Sequence, residues 1–420
     1  MSSARLDVAD VFRDEWPRLV ARLVRDVGDV GLAEDAAQEA FVEAARRWPE
    51  RGSPDVPAAW LLTTARRKAI DQLRRSKRLT DRLADLVVVE DGASVADGAE
   101  TPGDLVDDQL ALLLGCCHPA LSFDAQVALT LRIVAGLSSA QIARAFFVSE
   151  STMTRRLTRS KSKIRATNLA FTRPDVATLH ERLPAVSAII YSIFTEGHAS
   201  ANAPTLVRGD LCDEAIWLGT LVHQLVPDDP EVSGLLALML LIDARRATRT
   251  DEHGVPVRLA AQDRTGWDAA QISTGITTLA NAYGARRGGP YQFQAAIAAL
   301  HATAATFDDT DWAAIVRLYE VLLARQPSAV LGLNHAVAVS QRDGMAAGLR
   351  ALELIERHEP FAEELADYPY FHSARGEMLA ALNRSSEAVS AFDQALAACT
   401  NEAERTHLAV RIRELSPPNE

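Results

Sequence analysis

An all-α chain is predicted by three observations. Apolar residues recur at three- and four-residue spacing through successive segments. The composition is rich in Ala, Leu and Arg, and aromatic residues make up only 6% of the chain, as suits helices. Helix-start signals stand before the periodic runs, the clearest being Ser138 followed three residues later by Gln141, the pattern of a capping box. The predicted architecture is two small helical modules, the second a helix-turn-helix, followed by a helical-repeat region. The domain boundaries expected are residues 5–80, an acidic linker at 81–108, the helix-turn-helix module at 109–170 and the helical region at 171–420.

The elements follow in order. Val11, Phe12, Trp16, Leu19, Val20 and Leu23 form the apolar stripe of a first helix. Gly28–Gly31 breaks it, and a second helix follows over Leu32–Trp48, with Ala36, Ala40, Phe41 and Ala44 inward and Asp35, Gln38, Glu39 and Glu43 outward. Pro49–Pro57 is read as a loop. From Ala58 to Arg78 a third helix buries Leu62, Ala65, Ala69 and Leu73, leaving seven cations and Trp60 on its surface. A cationic helix with an aromatic side chain suits melted or single-stranded nucleic acid.

Residues 83–108 carry eight acidic side chains, no basic one and no helical period, and are read as a linker ordered only against a partner. Helices are expected over Gln109–Leu114 and Asp124–Ala135. In the helix-turn-helix, Ile142, Ala143, Phe146 and Phe147 give the first helix its apolar face, Val148 and Ser149 the turn. In the second helix Met153, Leu157, Ser160 and Ile164 fall on one side; Thr152, Arg155, Arg156, Arg159 and Lys163 fall together on another. An apolar face docked on its partner and a basic, hydroxyl-bearing face outward suit the major groove.

Residues 173–420 show further helical segments: Ala185–Phe194, Leu211–Leu225, Val232–Arg246, Asp268–Tyr283, Tyr291–Ala304 and Trp312–Arg325. Gly376, Ala388, Phe392 and Ala395 fall at tetratricopeptide spacing, and Tyr319 with Pro327 fits the end of an earlier, degenerate repeat. Such helices bury their stripes by stacking, which gives a short solenoid with a groove.

Composition bounds the function. The chain of 420 residues has room for two to four domains. No apolar run reaches the roughly 18 residues of a membrane span, and Leu235–Ile242 is too short. The polar, acidic N-terminus lacks the form of a signal peptide, and four cysteines do not make a disulfide framework, so a cytoplasmic location is expected. The net charge of −12 is uneven. Residues 109–172 hold eight basic against two acidic side chains, whereas 173–420 hold 20 basic against 32 acidic. A single basic segment between acidic ones favours a bounded DNA footprint over general nucleic-acid binding.

No catalytic constellation stands out, so no enzyme is expected. Cys116-Cys117-His118 lacks a second ligand pair at metal spacing and reads as buried thiols beside a turn. Cys212 and Cys399 read as core, and His301, His335 and His372 as core or groove residues. Glu196-Gly197-His198 and Asp228-Asp229 lack a nucleophile partner, and Arg286–Pro290 lacks the strand-to-helix setting of a phosphate loop. No cofactor or metal is called for.

Taken together, the motifs resemble the extracytoplasmic-function class of RNA polymerase sigma factors. Asp35-Ala-Ala-Gln38-Glu39-Ala-Phe41 is similar to region 2.2, which in that family docks on the clamp helices of the polymerase β′ subunit. Trp60-Leu61 and Ala65–Arg75 are similar to regions 2.3 and 2.4, which melt and read the −10 element. The resemblance implies −10 contacts by Trp60, Arg66, Arg67, Lys68, Asp71, Arg74 and Arg75, and core-polymerase contacts by Asp35, Gln38, Glu39 and Glu43. Gln126–Arg132, Gly136-Leu137-Ser138 and Ser149–Thr152 are similar to region 4. In the family that region lies at the β flap and reads the −35 element; here Ser151, Thr152, Thr154, Arg155, Arg156, Arg159 and Lys163 would do so. Arg67 stands where many members carry Asn, so the family's −10 base preference is not carried over.

The class normally ends soon after region 4. The remaining 250 or so residues resemble the subgroup with a tetratricopeptide-like extension, through Leu211–Leu218, Leu235–Arg245 and Gly289–Ile297. That likeness implies regulation by the extension, an intramolecular contact between it and the sigma modules, and a small YCII-related protein as partner. The alternative reading is a polymerase-independent helix-turn-helix regulator with a helical-repeat sensor, which leaves Asp35–Phe41 without a role. A repeat scaffold leaves Arg155, Arg156 and Arg159 unexplained.

Overall fold

A computed structural model describes residues 8–84, 102–167, 171, 175–200, 206–283, 288–357 and 359–416. Among these the chain is all-α with no strand, only an isolated antiparallel bridge between Thr250 and Pro256. It divides into two compact units, residues 1–190 and 191–420.

The first unit is built on α1 (Val8–Val27), α2 (Val30–Arg51) and α3 (Pro57–Ala84). Asp29 caps α2, its carboxylate accepting from the Gly31 and Leu32 amides, which satisfies two otherwise orphaned donors. Trp16, Leu23, Ala36, Ala40 and Phe41 form the core, as the stripes predict. Three details differ. Pro49 lies inside α2, which runs to Arg51. The buried face of α3 is Leu61, Ala65 and Ala69, while Leu62 is only half-buried and Leu73 is 42% exposed. The i, i+4 row from Leu61 keeps α3 against α1 and α2 through small residues, and Leu73 lies beyond that contact.

Helix α4 (Pro102–Cys116) begins inside the segment read as an acidic linker. Pro at the first helical position suits a helix N-terminus, where its missing amide is no loss. The first turns are hidden in the sequence because their Asp107 and Asp108 read as the end of the acidic linker. Asp108 also has a counter-charge, Arg25 at 2.9 Å. Residues 85–101 of the expected linker lie outside the described residues.

The helix expected over Asp124–Ala135 is α5 (Phe123–Leu129) followed by one π-helical turn, Thr130–Val134. In it the Ala135 amide reaches back five residues to the Thr130 carbonyl. Gly136 follows at φ +74°, and a Cβ there would lie 2.8 Å from the Phe12 ring and 3.0 Å from Trp16. Both conformation and space therefore require glycine. The Trp16 indole donates to the Ile133 carbonyl at 3.0 Å, so the helix-turn-helix module is seated on α1.

Helix α6 (Ser139–Ala145) and α7 (Glu150–Ala166) complete that module. The capping box is present, with Ser138 and Gln141 satisfying each other's amides. Phe147 departs from expectation. It sits in the turn at φ +50° and is 43% exposed, so the apolar face of α6 is made by Ile142, Ala143 and Ala145.

Helix α8 (Val176–His198) crosses the boundary between the units. The second unit continues with α9 (Gly209–Leu225), α10 (Pro230–Asp243), α11 (Ala269–Tyr283), α12 (Pro290–Thr303), α13 (Trp312–Arg325), α14 (Ala329–Asp343), α15 (Met345–Glu356), α16 (Glu359–Ala366), α17 (Pro369–Ala381), α18 (Ser385–Ala398) and α19 (Glu402–Leu415). Helix α10 packs on α9, α11 and α12, and each helix from α12 to α15 packs on its successor. The α17–α18 pair has the expected repeat geometry: a Cβ at Gly376 would lie 2.8 Å from the Phe392 ring, and Ala388, Phe392 and Ala395 are fully buried. Cys116, Cys117, Cys212 and Cys399 are all buried thiols, as read.

Candidate nucleic-acid interface

The recognition helix is positioned from below. Ser149 caps α7, accepting from the Thr152 amide at 3.2 Å. Met153, Leu157 and Ile164 are buried against the rest of the module, each contributing roughly 2 kcal/mol of apolar transfer. Ser160 joins them because its hydroxyl donates to the Arg156 carbonyl at 3.0 Å. With that side fixed, Ser151, Thr154, Arg155, Arg159 and Lys163 are exposed, and Thr152 and Arg156 are half-buried. Arg155 donates to the Ser151 carbonyl and to the Thr152 hydroxyl at 3.3 and 3.4 Å. Arg156, Arg159 and Lys163 line one wall of a groove of about 330 Å³ beside α5, with Asp124 opposite. From residue 151 to 163 the row runs about 18 Å along the helix, enough to enter a major groove about 12 Å wide.

A second cationic face lies on α3. Arg67, Asp71, Arg74 and Arg75 are exposed on the side opposite Ala65 and Ala69. The three arginines there make no ion pair or side-chain hydrogen bond among the described residues. Trp60 is half-buried, its ring edge-on to Trp48 at 5.6 Å. Two of the predicted contacts are occupied within the fold. Arg66 pairs with Asp26 at 2.8 Å, and Lys68 pairs with Glu39 at 3.3 Å. Glu39 also accepts from Gln72 at 3.0 Å.

On α2, Asp35 and Glu39 are exposed and Gln38 and Glu43 half-buried. Glu43 pairs with Arg47 at 2.6 Å. Although Asp35 is exposed, crowding by neighbouring atoms strips water from its carboxyl and holds it above its ordinary value, opposed by the nearby Lys161 ammonium.

One residue of this region was not singled out by sequence reasoning. Glu34 is fully buried between the two modules, with Arg132 of the π-turn at 2.6 Å from one oxygen and the Lys161 ammonium of α7 against the other. Gln38 donates to the first oxygen at 2.8 Å. Nearby, Arg165 pairs with the cap residue Asp29. The signal was available: Glu34 falls on the same stripe as Val30, Ala37 and Phe41, the buried side of α2. A charge on an apolar stripe must be paired. Lys161, likewise, lies off the outward basic row of α7.

Comparisons with known proteins agree with this geometry. Residues 11–79 match the model of Sigma-70 region 2, and 111–164 that of Sigma-70 region 4. Residues 182–283 match a family of unknown function, DUF6596. These matches define a transcription initiation factor of the sigma-70 type. Over 406 residues, 95% of the chain, it is 44% identical to the uncharacterized protein R00370 of Rhizobium meliloti, of which the match covers 94%. A probable ECF RNA polymerase sigma factor, SigI of Mycobacterium tuberculosis, is 27% identical over 203 residues, covering 48% of this chain and 66% of that one. A probable RNA polymerase sigma factor, RfaY of Xanthomonas campestris, is 32% identical over 142 residues, covering 33% and 34%. The chain belongs to the extracytoplasmic-function-type sigma factors, in a form with a long helical C-terminal extension. Among the described residues no helix is long and apolar enough to cross a membrane.

Proposed function

We propose that the chain directs promoter recognition by core RNA polymerase through two faces, and that its C-terminal extension regulates initiation. In this reading Ser151, Thr152, Thr154 and Arg155, near the N-terminus of α7, meet base edges of the −35 duplex. Arg156, Arg159 and Lys163 hold phosphates further along. Trp60, Arg67, Asp71, Arg74 and Arg75 engage the melted −10 element, joined by Arg66 and Lys68 when Asp26 and Glu39 release them. Asp35, Gln38, Glu39 and Glu43 dock on the β′ clamp helices, and the −35 module lies at the β flap. The observation that carries the reading is the outward row of hydroxyls and cations on α7, in a chain whose net charge is −12.

The Glu34 cluster gives the reading a resting state. Elements named for positions −10 and −35 are centred about 25 base pairs apart, roughly 85 Å at 3.4 Å per pair. A compact unit of 190 residues has a radius of gyration of about 16 Å and does not span that distance. The seam at Glu34 therefore opens when both elements are bound, and docking on Asp35 and Gln38, beside that seam, is the step that opens it.

Run-off transcription with purified core polymerase, on promoters upstream of the chain's own gene and its neighbours, tests the proposal. The full chain is expected to start transcripts, and Arg155→Ala with Arg159→Ala to lose most of them while core binding persists. No transcript from the full chain or from a chain stopped at Thr172 would overturn the reading in favour of a polymerase-independent regulator. A chain stopped at Thr172 that matches the full chain would remove the regulatory role of the extension.

A further inference from the structure

The second unit encloses a cavity that the promoter reading does not use. It lies between α10, α12 and the start of α14, closed on one side by the connection between α10 and α11, and measures about 280 Å³. Four residues, His301 and Tyr319 among them, continue its wall into a larger groove of about 570 Å³ along α13, α14 and α17. The combined space is in the range of small-molecule sites.

Tyr191 donates to Gln294 and Trp267 to Thr248, but four of its polar groups are unspent. Arg245 faces the cavity, and among the described residues its guanidinium makes no ion pair or hydrogen bond. The Tyr319 hydroxyl and the Asn334 amide line the same space without a hydrogen-bond partner. The His301 Nδ1 is buried and unpartnered. Folded proteins rarely leave a buried polar atom unpaired; the buried His301 Nδ1 is one, and the half-buried Arg245 and Tyr319 and the exposed Asn334 bring three more unpartnered groups to the same space. Water alone is a poor answer for the charge, because the remaining wall is apolar and aromatic, with Trp267 and Tyr191 prominent.

The sign of the missing partner follows from the charges. No Asp or Glu lines the 280 Å³ cavity, although residues 173–420 hold 32 acidic side chains. The carboxylate of Asp243, two residues from Arg245, is committed to Arg246 at 2.7 Å and Gln271 at 3.0 Å. Burial brings the Arg245 guanidinium down to about 10, and Arg249 and Arg264 push it the same way. The one formal charge on the lining of the 280 Å³ cavity is therefore positive, inside a unit of net negative charge. Arginine's planar fork matches a carboxylate or similar oxyanion.

We propose that this cavity binds a small organic monoanion, with its acid group on Arg245 and its flat apolar body between Trp267 and Tyr319, and with Asn334 and His301 fixing its orientation. Its lining shares no residue with either promoter-facing surface, and it makes the extension a receptor for a soluble ligand.

The test is direct binding to the full chain by isothermal titration calorimetry, with 1-naphthoate as the anion and 1-naphthamide as its neutral isostere. Naphthoate is expected to bind at least tenfold more tightly than naphthamide. Arg245→Met should abolish that preference while leaving the weak amide binding in place. Ala298→Phe, which fills the cavity from α12, should remove both, and the circular dichroism of each variant reports its folding. Failure of the full chain to bind naphthoate at millimolar concentration, equal affinity for the two probes, or an undiminished preference in folded Arg245→Met would each overturn the proposal. If Arg245→Met does not fold, undiminished naphthoate binding by Ala298→Phe overturns it. None of these readouts depends on transcription.

Discussion

Glu34 and Arg245 are both charged side chains held within the fold, the first fully buried and the second half-buried, and their surroundings could hardly differ more. Glu34, in the first unit, is fully buried and meets two cations and an amide. Arg245, in the second, meets no carboxylate and no acceptor among the described residues. Burial of a charge is unfavourable in both cases, and what differs is whether the fold supplies the compensation. A compensated charge is part of the architecture and specifies a contact. An uncompensated one facing a cavity is a cost retained for something that arrives from outside.

This contrast can be broken in order of expected effect. Glu34→Gln leaves Arg132 and Lys161 facing a neutral group at the seam, and should destabilise the first unit by about 3 kcal/mol. A double-mutant cycle with Arg132→Met, read by thermal unfolding, should show strong coupling between the two positions. Additive effects would mean that the seam is not held by this pair.

Arg245→Met should act in the opposite direction. Replacing an unpaired, half-buried cation by an apolar chain of similar length removes part of a desolvation penalty, and the ligand-free protein should gain up to about 1 kcal/mol. A loss of stability in calorimetry would show that the guanidinium is already satisfied.

His301 sharpens the comparison through pH. Burial, together with Arg245 and Arg264, lowers it to about 4 from an ordinary 6.5. The folded state therefore binds fewer protons than the unfolded one between these values. Its contribution is fully present above pH 6.5 and is lost as pH falls towards 4, at no more than about 1.4 kcal/mol per pH unit for one proton. His301→Gln should flatten the acid side of the stability profile of the second unit. Removing the Arg245 cation should raise the His301 midpoint, measurable by NMR titration.

The smallest effect belongs to Arg165, which is 74% exposed although paired with Asp29. Its replacement by Ala should change stability by no more than about 0.5 kcal/mol, since Asp29 keeps its capping role. A change as large as that of Glu34→Gln would remove the distinction between surface and buried pairs at this seam.

Much of the first unit was legible because its signals are local. The Ser138–Gln141 box, the Ser149 cap and the Met153–Leu157–Ile164 stripe depend on residues a few positions apart, and each falls where its spacing places it. The same holds for Gly376 and Phe392, whose repeat spacing encodes one close helix pair. What escaped was set by distant residues or by the lack of contrast. Only the first turns of α4 escaped, because their Asp107 and Asp108 read as the end of the acidic linker, while the helix expected over Gln109–Leu114 is there. Phe147 looked like core but takes the turn conformation, because α6 ends at Ala145 and the chain must reverse before Ser149. The pairing of Glu34 with Arg132 and Lys161 spans about a hundred residues and more. Likewise, nothing near Arg245 in sequence tells that Asp243 is turned to Arg246 instead.

The glycine at position 136 carries a consequence for engineering promoter specificity by module exchange. A graft of a −35-reading module from another sigma factor would replace the π-turn and the loop after it as one piece. Any incoming side chain at 136 would strike Phe12 and Trp16, and any incoming neutral residue at 132 would leave Glu34 short of a partner. A chimera chosen only for its recognition helix would therefore be held open at the seam and would lose the resting state. One that transplants the stretch after Ser138 alone, keeping Arg132 and Gly136 and restoring a cation at 161, would exchange the DNA reading and keep the closure.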